Sequence, residues 1–364
     1  MALRVLGIET SCDETAAAVV TEHGEILSDV VQSQLDTHAP FGGVVPEHAA
    51  RDHLRNILPV IQQSLAEAKV GFGDLDGIAV TCRPGLAGAL LVGVQVAKTL
   101  AWSTGLPLIG VDHLVGHLLA VYLKRPLPEG APQPIVPEFP FVALLVSGGH
   151  TAIYRVDGPL ASQMKELGAT RDDAAGEAFD KVGKMLGLGY PGGPVIDRMA
   201  ALGNPRAVSF AIAMHQGLEF SFSGLKTALA RHVEQHGRPK TEAEMCDLCA
   251  SFQHAVVEAL VKKTVKAAQM QNVKYVVLGG GVAANRGLRA RAKTVCEAEG
   301  LTLVVPPVAN CTDNGAMIAY AGTVRLRSGE RDLLGLTTET RTSLPRRTRK
   351  GGGFRNTLFR SRSA

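Results

Sequence analysis

With 364 residues, 46% of them apolar and only 20% charged, the chain is too long for one growing core and too apolar for disorder, so two lobes are the default. Its six cysteines, in a chain this long without a recognisable leader, read as reduced thiols rather than a disulfide framework. Its most apolar stretch, 86–101, is broken by Gln95 and Lys98 and is too short to span a membrane, so a cytoplasmic, membrane-free protein is expected. Period-two alternation predicts strands at 3–9 ("LRVLGIE"), 16–21 and 26–33, and period-3.6 patterning a helix at 49–69. A strand at 77–81, a helix at 86–104 and a strand at 107–111 lead into "VDHLVGHLLA", an apolar helix carrying His113 and His117. After the Pro-rich connector 125–140 the order restarts: strands at 141–147, 151–156 and 160–167, then a helix at 174–187. A Gly-rich section at 188–240 interrupts it. The pattern resumes with helix 241–272, strand 274–279, helix 284–298, strand 302–305 and helix 313–328.

Both halves run three strands, helix, strand, helix, strand, helix. The expected fold is therefore α/β with two duplicated lobes, each a mixed sheet flanked by helices, and a cleft between them. The expected division is 1–112 for the first lobe and 113–312 for the second, with 188–240 as an insert. The last helix, within 313–336, is expected to pack back on the first lobe. Residues 337–364 are expected to be a disordered tail. Most of its charge lies in 340–364, which holds eight Lys or Arg and no acid and leaves a body with 30 basic and 34 acidic residues. Such a tail could also touch phosphate backbones without specificity. The opening turns of the two halves, in "LGIETSCDETAAAVV" and "LLVSGGHTAIYRV", are either ordinary hairpin turns or paired anion-holding turns facing one cleft.

Several residues carry two readings. His113 and His117 share a helix face, so they are either two metal ligands or two histidines satisfied in a helix interface. Asp313 in "CTDNGAMIAYAG" is either a ligand or a helix N-cap. Asp13 and Glu14 are solvated turn acids or cleft acids able to take a proton. Asp180 with Lys184 has the spacing of an exposed ion pair. Cys246 and Cys249 lie in a helical pattern without a second pair, which weakens a zinc or redox reading. No G-x-x-x-x-G-K-[ST] loop is present, which weakens an ordinary P-loop ATPase.

The duplication resembles the acetate and sugar kinase, heat-shock protein 70 and actin superfamily. More specifically, "GIETSCDET", "GGVVPEHAARDH", "PGLAGALLVG", "DHLVGH", "LLVSGGHT", "DDAAGEAFDKVGKMLGLGYPGGP", "FSFSGLKTA", "GGGVAANRGLR" and "CTDNGAMIAYAG" resemble the bacterial tRNA N6-adenosine threonylcarbamoyltransferase family, once described as O-sialoglycoprotein endopeptidases. The resemblance implies His113, His117 and Asp313 as ligands of one divalent metal, Fe2+ first, with Zn2+ or Mg2+ as options. It implies Leu145, Val146, Ser147, Gly148, Gly149, Asp180, Gly193, Asp197 and Asn285 as substrate-binding, and Asp13 and Glu14 as catalytic. The implied reaction moves the threonylcarbamoyl group of threonylcarbamoyl-AMP to N6 of the adenosine 3′ to the anticodon of tRNAs reading ANN codons. The implied partners are tRNA, an inactive paralogue and a small ATPase. A metalloprotease is the alternative, yet an H-E-x-x-H base is missing because position 114 is Leu, and Val115 stands where relatives often carry Glu. Arg83 stands where relatives usually have Gly before Pro84, and a local change is expected there.

Overall fold

The computed structural model describes residues 2–126, 134–212, 214 and 216–347. Its strands are β1 (Arg4–Glu9), β2 (Glu14–Thr21), β3 (Ile26–Ser33), β4 (Gly77–Arg83), β5 (Leu108–Asp112), β6 (Phe141–Val146), β7 (Thr151–Val156), β8 (Met164–Ala169), β9 (Tyr275–Gly279) and β10 (Thr302–Val304). They form two five-stranded sheets, ordered β3-β2-β1-β4-β5 and β10-β9-β6-β7-β8. In each, the first three strands are antiparallel and the last two run parallel to the first. The two orders superimpose element for element, so the duplication is one of topology.

The helices are α1 (Leu35–His38), α2 (Pro46–Ala68), α3 (Ala87–Thr104), α4 (His113–Leu119), α5 (Ala175–Leu186), α6 (Gly192–Ala200), α7 (Ser223–His236), α8 (Glu242–Met270), α9 (Arg286–Ala298), α10 (Val308–Cys311) and α11 (Gly315–Arg327). Local chemistry sets their starts. Pro46 opens α2 with its φ already fixed, Thr241 accepts from Glu244 N (3.2 Å) to cap α8, and Asn285 accepts from Leu288 N (2.8 Å) to cap α9. α6 and α7 lie inside the Gly-rich section and were not expected there. The "GGP" start of α6 breaks helical patterning, but Gly192 is required because a Cβ would sit 2.5 Å from Phe179 O.

Each sheet has its own apolar core, and a third cluster joins them. That cluster draws Val5, Ala18 and Ile109 from the first sheet and Phe141, Ala143 and Leu145 from the second. Leu114 and Leu118 of α4 and residues 316–319 of α11 lie between. α4 therefore belongs to neither lobe alone, although the sequence division at 112 and 113 assigned it to the second. α11 lies against β1, β2 and β4, so closely that a Cβ on Gly7 would stand 2.3 Å from both Ala319 N and Gly315 O. Both obstacles are backbone and cannot swing aside. Gly7→Ala is therefore expected to destabilise the fold by about 2–3 kcal/mol, read as a lower urea midpoint; an unchanged midpoint would contradict this packing.

The tail departs from its expected disorder at 337–347. Glu339 N donates to Cys82 O (2.9 Å), Arg83 pairs with Glu339 (3.1 Å), and Leu344 is buried in the cluster between the sheets. Leu344 supplies apolar anchorage that a count of charges overlooks, and Arg83 finds its local partner there. The remaining residues, 348–364, lie outside the described ones. No helix among the described residues is long and apolar enough to cross a membrane.

Candidate metal centre and adjoining cavity

β5 runs directly into α4, and Asp112 at the junction accepts from Leu114 N (3.0 Å) as the N-cap. One helical turn separates His113 from His117, so both imidazoles project from one buried face. Their Nε2 atoms lie 3.1 Å apart, and Asp313 Oδ1 is 3.0 Å from His117 Nε2 and 3.5 Å from His113 Nε2. These are the only three His, Cys, Asp or Glu side chains among the described residues that converge in a metal-compatible group. Asp313 is not the helix cap: Asn314 accepts from Met317 N (2.9 Å) in that role, which leaves the Asp313 carboxylate to the histidines.

Behind the ligand face stands Glu9, fully buried at the end of β1. It accepts from His113 Nδ1 (2.9 Å) and from Thr81 Oγ1 (2.6 Å), and also from Ser11 N. Because the carboxylate can only accept, Nδ1 carries the proton and Nε2 of a neutral His113 presents its lone pair. Two imidazole nitrogens and a carboxylate oxygen facing one another need a shared cation, a proton or a metal. Ligand bonds of about 2.1 Å meeting at 90–109° would set donor atoms roughly 3.0–3.4 Å apart, which matches the observed spacing. His117 Nδ1 is buried without a hydrogen-bond partner.

Without a metal, the proton fills this need. Burial would lower His113, but the Asp313 and Glu9 carboxylates outweigh it and lift its pKa to about 9. Burial would raise Asp313 and Glu9, but the histidines hold Asp313 far below the usual carboxylate range, and His113 holds Glu9 below it. Glu14 goes the other way: burial, then the Asp313 and Asp13 charges, push it well above that range. Burial raises Asp180 against the lowering by hydrogen bonds from Gly192 and Gly193, burial raises Tyr190, and the Asp13 charge adds to both.

A cavity of about 420 Å³ lies in the second lobe, and its Gly281 is two residues from Gly279, where a Cβ would stand 3.3 Å from His117 O. Gly148, Asp180, Gly193, Asp197 and Asn285 are among the residues that line it, as are Phe179 and Arg286. Asp180 accepts from Gly192 N (2.8 Å), Asp197 is paired with Arg286 (2.8 Å), and the Asn285 amide donates to Gln253 (2.7 Å) while its oxygen caps α9. Leu145 and Val146 are buried core side chains of β6 and do not line the cavity. Ser147 closes the adjoining turn through His150, and Gly149 lies exposed in it. Glu9 and Arg286 were missed by sequence reasoning. A charged residue ending the otherwise apolar run "LRVLGIE" was the available signal for Glu9. Cys246 and Cys249 are buried in α8 as free thiols.

A model of the tRNA N6-adenosine threonylcarbamoyltransferase family matches residues 25–320. A protein of that name from Sorangium cellulosum is 66% identical over 360 residues, covering 97% of this chain and all of that one. The chain belongs to this family. Other threonylcarbamoyltransferases of that name come from Anaeromyxobacter dehalogenans, 54% identical over 90% of this chain and 96% of theirs, and from Syntrophus aciditrophicus, 50% identical over 93% and 97%. Membership makes the chain a transferase and does not favour the metalloprotease alternative. Glu9, the carboxylate beside His113, agrees with that: it bonds the ring nitrogen facing away from Asp313, not the ligand face. Two solved structures share the threonylcarbamoyltransferase fold. They are full-length HypF in its phosphate- and nucleotide-bound form (TM-score 0.59, 13% identity, 90% of this chain and 47% of that one) and the Acidaminococcus fermentans (R)-2-hydroxyglutaryl-CoA dehydratase component A (TM-score 0.51, 15% identity, 89% and 99%).

Proposed function

We propose that the chain transfers the threonylcarbamoyl group of threonylcarbamoyl-AMP to N6 of the adenosine 3′ to the anticodon in tRNAs reading ANN codons. The observation that carries this reading is the convergence of two Nε2 atoms and a carboxylate at 3.0–3.5 Å, in a chain of this family that also holds a nucleotide-sized cavity. His113, His117 and Asp313 would hold one divalent cation. Two imidazoles and one carboxylate suit Fe2+ best, Zn2+ next and Mg2+ least. Bound there, the ion would supply Lewis-acid polarisation of the carbamoyl carbonyl.

The cavity residues do the holding. Asp180 and Asp197, which line the cavity, would accept from the ribose hydroxyls, and Gly193 would let the chain run close to the sugar. The remaining Asn285 amide hydrogen would reach the nucleotide, and Gly148 and Gly149 would offer their backbone N–H groups to the phosphate, since the Ser147 N–H is spent on His150 O. Leu145 and Val146 could contribute only through their backbones. In the transfer, a bond forms from N6 to the carbamoyl carbon and the bond from that carbon to the phosphate oxygen breaks. AMP leaves with the electron pair, and the N6 proton passes to Asp13. Burial and the Asp313 and Asp13 charges raise the pKa of Glu14, and a carboxyl that keeps its proton cannot take another, so Asp13 is the acid proposed for this step.

The partners of this reading are tRNA, an inactive paralogue on the first lobe and a small ATPase, in the cytoplasm. The test is transfer of radiolabelled threonine to tRNA with both companion proteins and threonylcarbamoyl-AMP supplied. Label in tRNA is the expected result. Unlabelled tRNA together with cleavage of a glycoprotein would replace this reading with the protease.

A further inference from the structure

We propose that Thr342 and Ser343, in the segment that follows α11, are positioning residues for the metal centre and act through Asp112. The proposal rests on the reading of His113, His117 and Asp313 as metal ligands.

Asp112 divides its carboxylate between two tasks. Oδ1 accepts from Leu114 N (3.0 Å) and fixes the first turn of α4. Oδ2 accepts from Thr342 Oγ1 (2.7 Å), Ser343 N (2.8 Å) and Ser343 Oγ (3.0 Å). Of the four donors to this carboxylate, three converge on Oδ2 and come from a segment some 230 positions later. One peptide bond separates this anchor from His113. Ligand geometry tolerates displacements of only about 0.5 Å, so rotation of the Asp112 carboxylate would be felt at Nε2.

The segment is itself held at several points. Asp332 accepts from Gly110 N (2.7 Å) in β5, Leu344 is buried in the cluster that holds Leu114 and Leu118, and Arg347 N donates to Glu166 Oε1 (3.1 Å) in β8. It thus straps the edge of the first sheet to the second and crosses the root of α4 on the way. A cavity of about 230 Å³ borders Asp112 and Ser343, so water can replace lost hydroxyls without collapse of the fold. Loss of those hydroxyls then loosens the ligand rather than unfolding the chain.

Binding of Co2+ to the metal-free full chain tests this, followed by its visible absorption bands, for wild type, T342V/S343A and T342S/S343T. T342V/S343A is expected to bind Co2+ about tenfold more weakly with altered band intensities, a loss at the low end of that seen for groups supporting a ligand. Its metal-free melting temperature should stay close to that of wild type, and T342S/S343T should restore both affinity and bands. Equal affinity and bands in wild type and T342V/S343A would overturn the strap's role and leave the metal centre standing. Weaker binding that accompanies a lower melting temperature and is not rescued by T342S/S343T would mark a general structural tie and overturn it too. A wild type that binds no Co2+ would overturn the metal reading and this proposal together.

Discussion

His117→Ala is expected to lower threonylcarbamoyl transfer to tRNA by at least about 10³-fold, a loss of roughly 4 kcal/mol of transition-state stabilisation. The size follows from geometry. His117 Nε2 is the member of the group within 3.1 Å of both other donors, so its removal leaves His113 and Asp313 as a pair at 3.5 Å. Two ligands do not retain a divalent cation against water. Metal content measured by elemental analysis should fall with the rate. Because His117 is buried, the truncation also opens a small void, and His117→Asn controls for it by filling most of the space. Transfer above a tenth of the wild-type rate in His117→Ala would remove His117 from the site.

Glu9→Gln is expected to weaken metal binding by about 10–100-fold, with the gap between the two proteins widening as pH rises. Two effects oppose each other. The carboxylate makes His113 a stronger ligand, but in the metal-free chain it also helps lift the imidazole to about 9, so a metal must displace a proton. Below about pH 9, wild-type affinity therefore falls about tenfold per pH unit. The amide surrenders the ligand strengthening at every pH but softens the proton competition only below that point. A gap that stays constant from pH 6.5 to 9.5 would contradict this account of Glu9. The same shift has a signature in stability. A folded pKa above the unfolded 6.5 contributes stability that is complete below 6.5 and lost as pH rises through about 9. The metal-free protein should lose melting temperature across that window, and the metal-loaded protein should not.

Strand and helix positions were legible because both halves repeat two strong periodicities, and "FVALLVS" or "VVLGGG" leaves little room for another element. α6 and α7 were not, since "PGGP" breaks every periodic signal while packing against Phe179 rewards it. His113 and His117 announced themselves by spacing. Asp313 did not, because Asp313 and Asn314 are both good cap residues and only the fold shows that Asn314 takes the task. Glu9 was hidden by the same rule that found β1: a residue in a buried strand reads as core until its partner, 104 positions away, is placed against it. Residues 337–347 were misjudged by composition, which counts charges but cannot see that Leu344 has a pocket and Thr342 an acceptor. Leu145 and Val146 show that a motif can neighbour the cavity while its side chains serve the core, which leaves only their backbone to a ligand.

Asp313 follows His117 by 196 positions in the chain. At about 5–20 residues per second, a ribosome adds that stretch in roughly 10–40 seconds, during which the histidines exist without their third partner. Completion of the proposed metal site would therefore wait until the second half has been synthesised and α11 has docked on the first sheet. A truncated or stalled product ending before Asp313 would lack one of the three converging side chains, so a half-made chain could not assemble the proposed site.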